Sequence, residues 1–279
     1  MFGVVSGPAT WMIAFMFVPY AVMFAYSFFS RQFPLIVPDF QFGNYITLFT
    51  EPQYYQVLLR TLKISLMVSL LALAIAYPLT YFLVYRVRSS KLRLALYFAT
   101  IVPLWVSYLL RAYTWKTILG SEGVLNSFLI WVGILDEPSD LFLYSQFGMV
   151  LVLTYIYIPF QVMPVYTALE KIPRSLVEAS KDLGVGPLRT FFSVTLPLSV
   201  PGILAGMTFT FCLTMGDFVA PFLVGGPDGL MIANVIQTQF GTAFNWPLGS
   251  ALSIVMLVLS LLIISAADRF ERTGRLDLG

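Results

Sequence analysis

The segment "EASKDLGVGPLRTFFSVTLPL", from Glu178 to Leu198, is a charged interruption in an otherwise apolar chain. A soluble globular domain carries roughly a quarter of charged residues. This chain of 279 residues is 58% hydrophobic and only 11% charged. So little charge does not cover the surface of a water-soluble fold. The sequence therefore predicts that the bilayer is the solvent for most of the chain, and that this segment is a polar connection between membrane spans.

Composition excludes several classes of function. The one cysteine, Cys212, rules out an intramolecular disulfide framework and a cysteine-based zinc cluster. The absence of histidine removes the commonest metal ligand and general base. A net charge of +2 is too small to indicate nucleic-acid binding. No phosphate-binding loop of the Gly-x-x-x-x-Gly-Lys-Ser/Thr type occurs. We therefore expect no catalytic residue, no metal, no cofactor and no nucleic-acid partner for this chain.

Six runs are long and apolar enough to cross the membrane; a hydrocarbon core of about 30 Å takes about 20 residues. They predict an all-α integral membrane protein with six transmembrane helices, and we expect residues 1–279 to form one transmembrane domain. The predicted spans cover residues 8–29, 64–85, 94–119, 141–169, 198–223 and 248–267. Arg111 and Lys116 lie inside the third predicted span, and Asp217 lies inside the fifth.

Lysine and arginine predict the orientation, because cytoplasmic loops carry an excess of both. Eleven of these residues lie in the connections 86–93 and 170–197 and in the tail after residue 267, against five elsewhere. These three regions fall on one side, so we expect that side and both termini to be cytoplasmic. The opposite connection, between the third and fourth spans, carries acidic residues and no lysine or arginine. It attracts cations, or it simply lacks positive charge.

The polar segment has local signals for two short helices. Ser175 and Glu178 have the spacing of a capping box, in which each side chain accepts a hydrogen bond from an amide at the helix start. Gly184 is placed to end this helix in a left-handed conformation. Gly186-Pro187 is expected to start a second helix, and Leu196-Pro197 to interrupt the chain again before the fifth span. A pair of short helices fits a docking element, and it fits an ordinary loop with interfacial helices equally well.

The same segment resembles the "EAA" loop of bacterial ATP-binding-cassette (ABC) importer permeases. That pattern reads EAA, three residues, G, nine residues, I, one residue, LP. Here Glu178-Ala179-Ser180 is followed at this spacing by Gly184, Val194 and Leu196-Pro197, with Ser for the second Ala and Val for Ile. The resemblance implies a type I (MetI-like) importer transmembrane domain whose cytoplasmic loop, residues 170–197, docks on an ATPase. The implied coupling residues are Ser175, Glu178, Ala179, Ser180, Asp182, Gly184, Pro187, Leu196 and Pro197.

Four longer stretches narrow the resemblance to the spermidine/putrescine importer permeases. They are Ile101–Leu129, Glu170–Gly206, Gly216–Phe240 and Asn245–Ile254. The resemblance implies a permease subunit that carries polyamine across the bacterial inner membrane. Its implied partners are an ATPase dimer that binds the ATP and magnesium, a second and different permease subunit, an extracytoplasmic substrate-binding protein, and membrane lipid. Permeases for ferric iron or thiosulfate share the loop and remain alternatives, as do an integral-membrane enzyme and a channel subunit.

Asp217 is the acidic residue that the predicted spans enclose, and charge inside a span is a functional hypothesis by default. Counted along unbroken helices at about 1.5 Å per residue, Asp217 and Arg111 lie at a similar depth. Asp217 therefore pairs with Arg111, contacts a passing cation, or does neither. Aromatic faces that bind cations, or that only pack, are also available. The candidates for the substrate pathway are Asp217, Trp105, Tyr108, Arg111 and Trp115.

Gly123 and Asn126 have the character of a helix start in the acidic connection. They predict a short interfacial or re-entrant helix at Leu125–Val132.

Overall fold

The computed structural model describes residues 7, 8 and 10–276, with their side chains as far as Phe270. The chain divides into two compact units. The first combines the chain up to Arg60 with Met231–Leu262, and the second combines Thr61–Leu230 with the chain from Ile263 onward.

Helices make up most of the described chain. They are α1 (Thr10–Tyr26), α2 (Gly43–Thr50), α3 (Pro52–Tyr85), α4 (Ser90–Ile101), α5 (Tyr108–Leu119), α6 (Val124–Trp131), α7 (Gln146–Glu170), α8 (Arg174–Asp182), α9 (Pro187–Met215), α10 (Val219–Val224), α11 (Ile232–Phe240) and α12 (Trp246–Leu276).

The all-α prediction needs one correction, because an antiparallel hairpin follows α1. Strands β1 (Ser30–Gln32) and β2 (Leu35–Val37) pair with Arg31 opposite Ile36. Pro34 lies in the tight turn between them, and two of the three residues of the second strand, Ile36 and Val37, are β-branched. The hairpin is short, and its first strand is polar, so a search for long apolar runs did not detect it.

Four of the described helices, α3, α7, α9 and α12, are long and apolar enough to cross a membrane. A fifth span results if the bent pair formed by α4 and α5–α6 crosses as one. Helix α1 is apolar but shorter, and part of the predicted first span, 8–29, lies outside the described residues. The structure thus supports a mostly helical protein with four or five candidate spans among the described residues.

The predicted third span, residues 94–119, is broken in the structure. Helix α4 runs into a 3-10 turn at Val102–Trp105, and α5 starts at Tyr108. The helices on either side of this break are bent by 92°. Pro103 explains the break, because proline lacks an amide proton and its ring disfavours a continuing α-helix.

Two other predicted spans have different ends. The helix predicted at 64–85 already begins at Pro52, since proline is well placed in a first turn and the following apolar residues pack in the first unit. The span predicted at 198–223 ends at Met215, and α10 follows as a separate helix. The predictions at 141–169 and 248–267 agree approximately with α7 and α12.

Close packing of α7 against α9 forms the centre of the second unit. Gly202 and Gly206, four residues apart, allow this approach: a Cβ on Gly202 would clash with Ala168 and lie 2.6 Å from the carbonyl oxygen of Pro164. Small residues at this spacing let membrane helices approach closely. The fully buried Gln161 on α7 bridges to α9, since its amide oxygen accepts a hydrogen bond of 3.4 Å from Thr210. Helix α9 is therefore packed closely on α7 between Gly202 and Thr210.

The acidic connection is an ordered loop around α6. Helix α6 starts after Gly123, which confirms the short helix predicted there to within one residue. The buried side chain of Asn126 donates to the carbonyl oxygen of Gly120 at 3.0 Å and accepts from the amide of Ser139 at 2.9 Å. Asn126 thus closes this loop instead of capping the helix.

Candidate functional site

The capping box predicted at Ser175 is not formed. Helix α8 starts at Arg174 after Pro173, and no side chain caps it. Instead, the amide of Leu176 donates to the carbonyl oxygen of Pro173 at 3.1 Å. The reason is that Pro173 is extended (φ −60°, ψ 128°), so the helix begins directly after it and Ser175 is already helical.

The end of α8 confirms the prediction for Gly184. Gly184 has φ +76°, in the left-handed region that favours glycine. Its amide donates to the carbonyl oxygen of Lys181 at 2.8 Å, and the amide of Val185 donates to that of Ser180 at 3.1 Å. This pair of bonds is typical of a helix that stops at a glycine. Helix α8 therefore ends at this glycine, and α9 starts three residues later as a separate helix.

The second helix begins as predicted but does not stop before the fifth span. Gly186 precedes Pro187, which occupies the first turn of α9. The expected interruption at Leu196-Pro197 is wrong: a π-helical turn at Phe191–Thr195 continues the helix, and the amide of Leu196 bonds to the carbonyl oxygen of Phe191. The wider turn explains how the helix passes Pro197, because the i→i+5 pattern shifts the hydrogen bonds just before it.

One contact within the predicted coupling segment, residues 170–197, and one set of contacts from it to α3 hold it in place. The hydroxyls of Ser180 and Thr190 lie 2.9 Å apart and connect α8 to α9. The ring of Phe191 packs edge-on against Tyr77 and Tyr81 of α3, with centroids 5.8 and 5.6 Å apart. Helix α8 is thus tied to α9, and α9 is in turn held against a membrane helix.

The outer surface of the coupling segment is apolar as well as charged. Leu176, Leu183 and Leu188 are exposed, and Glu178 and Ala179 are exposed beside them. Exposed apolar patches of this kind mark surfaces that contact a protein or a membrane.

Asp217 lies in the break between α9 and α10, and not inside a helix as predicted. Its side chain is only 6% exposed. One carboxylate oxygen accepts hydrogen bonds from the hydroxyls of Tyr108 and of Tyr157, the latter at 2.8 Å. The other accepts from the amides of Val219 at 2.9 Å and Ala220 at 3.2 Å, at the start of α10. Four neutral donors therefore satisfy this buried carboxylate.

The ion pair between Asp217 and Arg111 is not formed. Among the described side chains, the ion pair within 4.0 Å joins Arg93 to Glu170. Arg111 is 9% exposed and donates to the carbonyl oxygen of Ile156 at 3.5 Å, with its guanidinium 5.9 Å from the ring centre of Tyr108. The predicted equal depth of Arg111 and Asp217 was counted along unbroken helices. In the structure one helix is interrupted before Tyr108 and the other ends at Met215, so the count does not hold.

The structure brings only some of the pathway candidates together. Tyr108 and Asp217 line a shallow cavity of about 390 Å³ that is wide open to the surroundings, and Tyr157 and Cys212 also line it. Trp105 is exposed, and Trp115 packs on Tyr155 at 5.1 Å between ring centres; neither lines this cavity. The sequence missed Tyr157, because a tyrosine in an apolar run has the same pattern whether it packs or binds.

The hydrogen bonds of Asp217 predict different stabilities for two of its variants. We expect Asp217→Asn to fold as the natural chain does, because an amide oxygen caps a helix as well as a carboxylate and the tyrosine hydroxyls rotate to accept from its nitrogen. Asp217→Ala removes the cap and leaves both tyrosine hydroxyls without this acceptor, at a cost of about 2–4 kcal/mol. Thermal unfolding of the purified protein measures both effects.

The control is the double variant Asp217→Asn with Arg111→Gln. Without an ion pair, the two changes should add, and the coupling free energy should be close to zero. A double variant that is clearly more stable than the sum of its single changes would show that Arg111 and Asp217 interact after all.

Solved structures show the fold to which this chain is similar. One is a bacterial alginate ABC transporter in complex with an alginate pentasaccharide-bound periplasmic protein, with a TM-score of 0.80, 20% identity, and 98% of this chain and 93% of that chain covered. Another is the inward-facing MetNI methionine ABC transporter, with a TM-score of 0.57, 21% identity, and 81% and 99% covered. The predicted MetI-like fold is therefore supported at the level of the chain's overall helical arrangement.

Sequence comparison identifies the family. The chain is 37% identical over 263 residues to the spermidine/putrescine transport system permease protein PotB of Escherichia coli (strain K12), with 94% of each chain covered. It is also 37% identical to the inner membrane ABC transporter permease protein YdcU of that organism, over 84% of this chain and 77% of that protein. Such relatives are transport permeases and not enzymes. A family model for "Binding-protein-dependent transport system inner membrane component" matches residues 76–275, and this chain belongs to that family.

Proposed function

We propose that this chain is the permease subunit of an ABC importer that carries spermidine or putrescine across the bacterial inner membrane. The observation that carries the proposal is 37% identity to a spermidine/putrescine permease along 94% of both chains. The relative from Haemophilus influenzae with the same name is also 37% identical, over 91% of this chain. Importers of ferric iron or thiosulfate are not favoured by these relatives.

We propose one partner for the side of the membrane on which α8 lies and another for the opposite side. On the cytoplasmic side, an ATPase dimer that binds the ATP and magnesium docks on α8, where the exposed leucines, Glu178 and Ala179 meet it. Ser175, Asp182 and Pro187 belong to the same surface. On the other side, a substrate-binding protein delivers the polyamine. A second, different permease completes the pathway, and the whole chain, as one domain with six spans, sits in the membrane with both termini inside.

Helix α9 is the proposed connection between the ATPase and the substrate. It has 29 residues and is therefore about 43 Å long. Its first turn is bonded to α8 through Thr190, and Leu196 and Pro197 lie within it. Its last residue, Met215, is two residues from Asp217. Because the helix is continuous, a displacement of α8 moves the break at which the cavity lies.

The cavity beside Asp217 is the proposed contact for a cationic amine. The carboxylate has no cationic partner among the described side chains, since its donors are hydroxyls and backbone amides. An ammonium group entering the cavity would provide one, and the ring of Tyr108 or Tyr157 would offer it a π face. Trp105 and Trp115 stay candidates for other parts of the path. Arg111 would repel the amine at a closer approach.

The substrate proposal predicts a charge-dependent loss of transport. We expect spermidine to stimulate ATP hydrolysis by the reconstituted complex, and ferric iron or thiosulfate to have no effect. Asp217→Asn should assemble normally but transport less. Spermidine uptake should fall by more than putrescine uptake, because spermidine carries more positive charge than putrescine. Loss of about 1.4 kcal/mol of attraction corresponds to a tenfold effect. Stimulation by another solute and none by polyamines would refute the substrate assignment.

The coupling proposal predicts opposite results for two neighbouring glycines. No atom lies within 4 Å of a Cβ built on Gly184 or on Gly186, but φ is +76° at Gly184 and −66° at Gly186. Gly184→Val should therefore strain the end of α8 by about 1–2 kcal/mol and reduce uptake and stimulated ATP hydrolysis. Gly186→Val is the matched control and should remain close to wild type. Equal activity of the two variants at equal membrane levels would contradict a role for this turn.

The proposed orientation predicts which sites an impermeant thiol reagent reaches in intact cells. In a Cys212→Ala background, Glu137→Cys in the acidic connection should react. Ser89→Cys, between α3 and α4, and Lys181→Cys, in α8, should react only after the cells are opened. All three positions are exposed in the structure. Labelling of Lys181→Cys in intact cells would reverse the orientation and remove the docking surface from the cytoplasm.

A further inference from the structure

The connection between α1 and α3 presents an apolar surface that the function above does not use. Six large apolar side chains in the hairpin, the turn after it and α2 are 60% to 77% exposed. They are Phe33, Leu35, Phe40, Phe42, Ile46 and Phe49, and are called the aromatic surface below. So many large apolar side chains exposed within 17 residues of chain are not typical of a surface that faces water.

Hydrogen bonds hold the connection in place beneath this surface. The side chain of Asn44 donates to the carbonyl oxygens of Ser27 and Phe29, at 2.9 and 2.8 Å. The hydroxyl of Tyr45 donates to that of Ser27 at 2.7 Å, and the amide of Ser30 donates to Asp39 at 2.8 Å. The exposed rings are thus displayed by a folded element, so their exposure follows from the fold itself.

Packing in the first unit places α2 at the end of a membrane span. The inward side chain of α2, Leu48, is buried with Leu58 of α3, Ile232 of α11, and Leu248 and Leu252 of α12. Leu248 and Leu252 belong to the first two turns of α12, which is long and apolar enough to cross the membrane. The aromatic surface therefore lies at the level where that span begins.

Two further contacts agree with this level. Tyr26, the last residue of α1, and Trp246, the first of α12, have ring centres 6.4 Å apart. Aromatic side chains concentrate where membrane helices meet the headgroup region. The guanidinium of Arg31 lies 5.3 Å from the ring centre of Phe33, so that the apolar ring and a cation are presented side by side. Lipid phosphates and acyl chains complement that pairing.

We propose that the aromatic surface is seated in the phospholipid interface and anchors the α1–α3 connection to the bilayer. The scarcity of charge favours lipid over water as the surroundings of this surface. Asp39 is the one charged residue in 33–50, and its carboxylate accepts a hydrogen bond from the amide of Ser30. Helix α1, which precedes the surface in the chain, also exposes large apolar side chains along its length. The proposal does not depend on the substrate or on the ATPase.

Spin labelling separates lipid from the other occupants. In a Cys212→Ala background, Leu35→Cys in β2 and Ile46→Cys in α2 each carry a nitroxide; no aromatic contact of the surface is removed by either change. The complex purified through this chain is placed in nanodiscs of phosphatidylethanolamine and phosphatidylglycerol. Power saturation then measures the collision of each label with oxygen, which concentrates in lipid, and with a water-soluble nickel chelate.

Both labels should collide readily with oxygen and several-fold less with the nickel chelate than a label at Glu137→Cys, which lies in the exposed acidic loop. High access to nickel at both sites would overturn the proposal, because the surface would face water. Low access to both reagents would also overturn it, since a second protein chain would then cover the surface. Access to nickel that disappears on adding the substrate-binding protein would assign the surface to that protein instead.

Discussion

The carboxylate of Asp217 and the break in the membrane helix beside it require each other. Ending α9 at Met215 leaves the first amides of α10 without helical partners, and these need an acceptor. A carboxylate buried in an apolar region needs donors, since an unsatisfied charge is costly there. The amides of Val219 and Ala220 and the hydroxyls of Tyr108 and Tyr157 meet both needs. Helices α5, α7 and α10 are thereby held at one point, which is also the wall of the cavity.

Helix α9 has two different ends. At one end, Ser180 and Thr190 connect it to the helix that turns at Gly184. At the other end lies the break at Asp217. Between them, Gly202 and Gly206 bring it against α7, and the π turn carries it past Pro197 without a stop. One continuous helix therefore joins the exposed surface of α8 to the cavity beside Asp217.

Local signals in the sequence were reliable where the physical cause is itself local. The apolar runs predicted most of α3, α7, α9 and α12, because each must cover its own length of hydrocarbon. Gly184 was placed correctly because only glycine adopts its φ at low cost. The capping box, in contrast, was wrong. A stronger local signal overrode it, because Pro173 starts the helix two residues before Ser175. Prolines gave mixed results. Pro103 broke its span, whereas Pro197 was absorbed by a change in hydrogen-bond register.

The sequence by itself determined the apolar character, the mostly helical class, the glycine stop at Gly184 and the kinship with importer permeases, because these depend on composition and on residues close together in the chain. Only the tertiary structure decided the partners of Asp217. Arg111 was one expected partner, yet the hydroxyls of Tyr108 and Tyr157 and two backbone amides are bonded to Asp217, and Tyr157 carries no signal of its own in the sequence. Which donors reach a buried carboxylate depends on where two interrupted helices end and how they pack. That information lies in contacts between residues more than a hundred positions apart, such as Tyr108 and Asp217, and no local pattern contains it.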